Sequence, residues 1–131
     1  MHDITLVENV IAYVEEHLDA DLSLNRIAGD LNYSKFYIAR VFAEKTGSTI
    51  YKYIQGRRLT KAAEKLVKTK KPIIEIAYEA HYNSQQAFTL AFRNLYLCTP
   101  QTFRKRGMFY PKQNRISLAG NSCIFGGRMA A

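Results

Sequence analysis

The chain repeats itself once. Ile27, Ala28 and Tyr33 recur as Ile76, Ala77 and Tyr82 at an offset of 49, and after a one-residue insertion Ser34, Phe42 and Thr49 recur as Ser84, Phe92 and Thr99 at an offset of 50. Two copies fall short of the roughly three that a solenoid needs for a continuous stacked core, so each copy must be a small unit within an ordinary domain. In the first copy Ser23 caps a short helix with Leu24, Ile27, Ala28 and Leu31 on one face, and Asn32 follows as a residue that tolerates left-handed backbone geometry. Ser34 caps the next helix, which turns Ile38, Val41 and Phe42 inward and closes at Gly47. The second copy has Pro72 in the first turn of a helix carrying Ile73, Ile76, Ala77 and Ala80. His81 takes the turn position, and a helix capped by Ser84 turns Phe88, Ala91, Phe92 and Leu95 inward. Each copy predicts helix, tight turn, helix.

The remaining segments extend the pattern. Val7, Val10, Ile11, Val14 and Leu18 form the apolar face of a first helix. A long helix from about 49 to 68 buries Leu59, Ala62, Ala63, Leu66 and Val67 and bears Arg57, Arg58, Lys61, Lys65 and Lys68 on its other side. Gly56 inside it costs about 1 kcal/mol relative to alanine, which implies a close packing contact or a bend. Thr99-Pro100 starts a last short helix ending near Gly107. Apart from weak hints after Gly107, no segment alternates like a strand. The expectation is an all-α fold of about seven helices: two helix-turn-helix subdomains, at about 23–47 and 72–96, joined by a long linker helix at about 49–68. One domain spans 1–107, and 108–131 is a tail, disordered or the cut end of a longer chain.

Charge is distributed unevenly. Residues 1–31 hold seven acids against one base, Arg26, a net of −6, whereas the remaining residues hold 18 Lys/Arg against four acids, a net of +14. A one-sided basic surface suits a polyanion, with double-stranded DNA as the leading partner. The basic segments have normal core-forming patterns, which argues against a membrane surface. No apolar run reaches the roughly 20 residues of a membrane helix, and MHDITLVENV lacks the features of a secretory signal; the expected location is the cytoplasm. Cys98 and Cys123 have no disulfide or zinc spacing, so both are expected as reduced thiols, Cys98 buried. His2, His17 and His81 are dispersed. No metal site, cofactor, catalytic constellation or small-molecule ligand is expected, and an enzyme is excluded. The tyrosines at 33, 37, 51, 53 and 82 fall at core or interface spacing and are assigned to packing.

With the inward residues placed, the outward ones follow. The first unit presents Lys35, Phe36, Ala39, Arg40 and Ala43, and the second presents Gln85, Gln86, Thr89, Leu90 and Arg93. Arginine can grip guanine O6/N7, glutamine can pair with adenine N6/N7, and Phe, Ala and Leu can touch thymine methyls. Base contact is therefore assigned to Lys35, Phe36, Ala39, Arg40, Gln85, Gln86, Thr89 and Leu90. Phosphate contact is assigned to Arg57, Arg58, Lys61 and Arg93. A linker helix of about 20 residues is about 30 Å long, near the roughly 34 Å between successive major-groove faces, so one monomer could read two adjacent grooves on an asymmetric site.

Four stretches, LSLNRIAGDLNYSKFYIARVFAEKTG, YIQGRRLTKAAEKL, PIIEIAYEAHYNSQQAFTLAFRNLY and TPQTFRKR, together resemble the DNA-binding domain of the AraC/XylS family, in its short MarA/SoxS/Rob/TetD branch. The resemblance covers about Ile4 to Arg106. It implies a sequence-specific transcriptional regulator, usually an activator, that acts as a monomer and touches RNA polymerase. Carried over by position, base contacts fall on Phe36, where that branch commonly has tryptophan, on Ala39 and Arg40, and on Gln85 and Gln86. Ala87 and Leu90 stand where close relatives have threonine and arginine. His81 usually corresponds to glycine, and Leu97-Cys98 to a glycine-containing turn. Glu8, Glu15 and Glu16 would oppose phosphates, so the first helix is expected to face away from DNA and to offer a polymerase contact. The alternative is a basic helical interaction protein serving as a polymerase adaptor or anti-activator.

Overall fold

The computed structural model describes residues 2–118. Among them lie seven helices: α1 (His2–Glu16), α2 (Leu24–Leu31), α3 (Lys35–Thr46), α4 (Ile50–Lys68), α5 (Ile73–Glu79), α6 (Gln85–Tyr96) and α7 (Pro100–Arg106). The chain divides into two compact units, one built from residues up to Gln55 and from Asn114 onward, the other from Gly56–Gln113. The long helix α4 therefore gives its first turn and a half to one unit and the rest to the other.

In the first unit α1 packs on α2 and α3. Val7, Val10, Ile11 and Val14 of α1 meet Ile27, Ala28, Ile38, Val41, Phe42, Tyr53 and Ile54 in one buried cluster. α1 stops at Glu16, and Leu18 enters the same core from the turn that follows. The second unit has its own core of Leu59, Ala62, Ala63, Leu66, Ile76, Ala77, Phe88, Phe92, Tyr96 and Phe103. Aromatic rings dominate it: Phe92 stacks on Tyr96 with centroids 4.6 Å apart and meets Phe103 edge-on at 5.5 Å. Arg104 donates from Nε to the Leu66 carbonyl (2.8 Å), an acceptor left open at the end of α4, and from Nη2 to the Lys71 carbonyl (2.7 Å) in the loop that follows. Cys98, expected to be buried, is half-buried against this core, because its turn lies at the surface.

The two repeats use the same local chemistry. Asn32 (φ 63°) and His81 (φ 68°) adopt left-handed geometry, and in each case the next residue closes the turn: Tyr33 N–H donates to the Ala28 carbonyl and Tyr82 N–H to the Ala77 carbonyl, both at 3.0 Å. Ser34 Oγ accepts from the Tyr37 amide (3.1 Å) and Ser84 Oγ from the Ala87 amide (3.0 Å). Pro72 sits at the N-cap of α5, just outside the first turn to which the sequence assigned it.

The segment after Gly107, expected to be a tail, is packed as far as it is described. In the second unit Tyr96 Oη donates to the Tyr110 carbonyl (3.0 Å) and the Gln113 amide donates to Thr60 Oγ1 (3.0 Å). Gly56 is the close contact anticipated from its cost in a helix: a Cβ there would lie 3.0 Å from the Gln113 Cβ. In the first unit Ile116 is buried in the core and its amide donates to Tyr53 Oη (3.4 Å). Cys123 and the rest of the chain beyond Leu118 lie outside the described residues.

α3 and α6 end differently. Gly47 closes α3 at φ 76°, whereas the matching place after α6 holds Leu97 at φ 63°, with 80% of its surface exposed. Left-handed geometry costs a leucine about 1–2 kcal/mol that glycine does not incur, and this side chain has little burial to offset it. Leu97→Gly is expected to stabilise the protein by about 0.5–1 kcal/mol after the extra chain entropy of glycine is counted. The urea midpoint at constant slope measures this; an unchanged or lower midpoint would contradict it.

Candidate nucleic-acid interface

Burial of Ile38, Val41 and Phe42 fixes how α3 is rotated, and burial of Phe88, Phe92 and Tyr96 does the same for α6. The opposite faces are left to solvent. On α3, Lys35, Phe36 and Arg40 are exposed and Ala39 is half-buried between them. Phe36 shows 78% of its surface, with the Lys35 ammonium 5.4 Å from its ring centroid. On α6, Gln85, Gln86, Thr89, Leu90 and Arg93 line one surface hollow, and Leu90 is 63% exposed. Within each unit the structure thus brings together the residues that the sequence assigned to base contact. An exposed Phe and an exposed Leu, each flanked by hydrogen-bonding side chains, suit a surface that is both polar and stacked with apolar edges.

Arg40 is held in the unbound chain. Its Nη1 donates to both Glu44 oxygens, at 3.3 and 3.2 Å, and its guanidinium carbon lies 5.3 Å from the Tyr37 ring centroid. Tyr37 in turn donates from Oη to Asp3 Oδ1 at 3.1 Å, and that hydrogen bond raises its phenol above the ordinary tyrosine value. By spacing Tyr37 reads as a packing residue, and Glu44 falls outside the residues assigned to DNA contact. The signal was available, since Glu44 stands four residues after Arg40 and a helix puts i and i+4 on one face.

The phosphate candidates separate into two groups. Lys61 and Arg93 are exposed. Arg57 is half-buried and donates from Nη1 to the Gln113 carbonyl at 2.8 Å, and Arg58 is half-buried with a partner of its own. Further along α4 the basic face is partly neutralised, with Lys65 on Glu79 (2.8 Å) and Lys68 on Glu64 (2.6 Å). The acids of α1 also differ among themselves. Glu16 is exposed, and Glu8 shares a surface hollow with Arg115. Glu15 is half-buried and accepts from Tyr53 Oη at 2.8 Å, which ties it to the core. Of the tyrosines assigned to packing, Tyr53 is buried, whereas Tyr33 and Tyr51 are exposed, because each starts or precedes a helix with its side chain off the buried stripe. Among the described residues no group of His, Cys, Asp or Glu could hold a metal ion, and no helix is long and apolar enough to cross a membrane.

Comparison with known proteins agrees with this geometry. A helix-turn-helix domain model matches residues 15–106. The chain is 40% identical over 105 residues to the transposon Tn10 TetD protein of Escherichia coli, covering 80% of this chain and 76% of that one. It is 39% identical over 100 residues to the right origin-binding protein of Escherichia coli strain K12, covering 76% of this chain and 35% of that longer protein. Among solved structures, the C-terminal domain of AraT, a response regulator from Geobacillus stearothermophilus, is similar with a TM-score of 0.74 at 31% identity, covering 80% of this chain and 88% of that one. Two capped helix-turn-helix units in one all-helical chain, together with these relatives, place the protein in the AraC/XylS family of DNA-binding transcriptional regulators, which are not enzymes, and in its MarA/SoxS/Rob/TetD branch.

Proposed function

We propose that the chain is a cytoplasmic, sequence-specific transcriptional activator that binds double-stranded DNA as a monomer, with α3 and α6 in two adjacent major grooves of one asymmetric site. The observation that supports this most directly is the pair of outward faces: Phe36 and Leu90 stand in solvent beside Arg40 on one helix and Gln85 and Gln86 on the other. One polypeptide holds both faces, joined by the 19-residue α4, so no second copy is needed to complete a site. Lys61 and Arg93 contact phosphates, and Arg57 and Arg58 do so only as far as their protein partners allow. Selection of duplexes from a random pool should return one asymmetric motif of about two helical turns, bound by one protein in sedimentation. A palindromic minimal site holding two proteins would refute the monomer, and recovery of no motif would favour the polymerase-adaptor reading instead.

Readout is divided unequally between the units. Arg40 can make a bidentate guanine contact, so Arg40→Ala costs about 1–3 kcal/mol and relaxes one base pair. Leu90 offers apolar contact alone and leaves its half-site to Gln85, Gln86, Thr89 and DNA deformability. Leu90→Arg should tighten binding and sharpen preference in that half-site without moving the other. Both variants are measured against a library randomised through the selected site at one salt concentration; an Arg40→Ala variant with unchanged preferences would show the α3 face to be misassigned.

RNA polymerase contact falls to the acidic side of α1. Glu8→Lys with Glu16→Lys, leaving Glu15 on Tyr53, should lower transcription at matched promoter occupancy. Undiminished transcription would remove α1 from that role.

A further inference from the structure

We infer that Glu44 is a positioning residue for DNA readout, holding the Arg40 guanidinium by one nitrogen so that its other edge is presented to a guanine. The inference rests on the assignment of α3 as a reading helix. Its basis is which donors are used. Both contacts to the carboxylate come from Nη1, at 3.3 and 3.2 Å, and no other hydrogen bond engages Nε or Nη2 among the described residues. Those two groups form the planar two-donor edge that matches guanine O6 and N7.

The guanidinium is restrained on its face as well as its end. Tyr37 lies against it with a carbon-to-centroid distance of 5.3 Å, and Tyr37 is itself fixed by its hydrogen bond to Asp3 and by stacking on Tyr33, with centroids 5.8 Å apart. An arginine normally loses most of its rotamer freedom on docking, and here part of that freedom is already gone before DNA arrives. The pair adds little to stability, since the Arg40 and Glu44 side chains are 59% and 54% exposed. A carboxylate on this face also opposes binding to every duplex, because phosphates lie on either side of a groove. Orientation of Arg40 is the effect that offsets this cost, and it acts on one base pair. At the 50-residue offset the second unit has Leu90 and Asn94 in place of Arg40 and Glu44, so the arrangement belongs to the first unit alone.

The test compares wild type, Glu44→Ala, Glu44→Gln, Arg40→Ala and the Arg40→Ala/Glu44→Ala double variant on a library randomised through the selected site. Glu44→Ala should raise affinity for all duplexes, through loss of a negative charge, while cutting discrimination roughly three- to tenfold at the base pair that Arg40→Ala relaxes. Glu44→Gln keeps an acceptor for Nη1 and should retain most of that discrimination. Adding Glu44→Ala to Arg40→Ala should change no base preference further. A uniform gain in affinity with preferences intact in Glu44→Ala, beside a relaxed Arg40→Ala, would overturn the role of Glu44 and leave the reading of α3 standing. Arg40→Ala with unchanged preferences would overturn both, since the contact that Glu44 serves would not exist. A Glu44→Ala loss at a different base pair would make the carboxylate a reader in its own right and overturn positioning.

Discussion

One backbone hydrogen bond, made twice, orients the second helix of both helix-turn-helix units of this protein. Tyr33 donates to the Ala28 carbonyl and Tyr82 to the Ala77 carbonyl, each at 3.0 Å. Each bond closes only because the residue before it, Asn32 or His81, lies in the left-handed region. The turn sets the direction in which the second helix leaves, and a serine cap starts that helix within two or three residues. Rotation about the helix axis is then decided by burial: Ile38, Val41 and Phe42 in one unit and Phe88, Phe92 and Tyr96 in the other leave no alternative face for solvent. Direction plus rotation fixes which side chains of α3 and α6 face solvent.

On that shared frame the two units have diverged in chemistry. The face of α3 is ionic, with Lys35 over Phe36 and Arg40 held between Tyr37 and Glu44. The face of α6 presents amides, a hydroxyl and an exposed leucine, with Arg93 at its end. An ionic pair gives directional contact and a strong dependence on salt, whereas amide and apolar contacts respond more to the shape of the groove. The divergence extends to stability, since the glycine that ends α3 has a strained leucine as its counterpart after α6.

Much of this was legible in the sequence because the signals are local. Caps at Ser34 and Ser84, left-handed positions at Asn32 and His81, the apolar stripes and the 49–50 offset each depend on residues within a turn or two of one another. The outward faces followed by subtraction. Glu44 beside Arg40 lies within the same reach, at i+4, yet the pair depends on the rotamers of two long side chains and not on spacing alone. Other side chains have partners that the sequence does not show, for a different reason. Arg57 looks like any basic residue on a long helix, but Gln113, 56 residues later, holds its guanidinium. Glu15 reads as a surface acid, but Tyr53, 38 residues away, donates to it.

The amino-acid sequence by itself determined the helices, their caps, the duplicated unit and the faces turned to solvent, because hydrogen bonding and burial within a helix have a period that can be read along the chain. Tertiary structure alone decided which charges remain available and what becomes of the segment after Gly107. Composition cannot show that Ile116 enters the first core beneath the Tyr53 hydroxyl, or that Tyr96 and Thr60 hold Tyr110 and Gln113. Those contacts join residues that are distant in the chain, where no periodicity links the partners, and a charge is free or committed only when the fold has brought its partner to it.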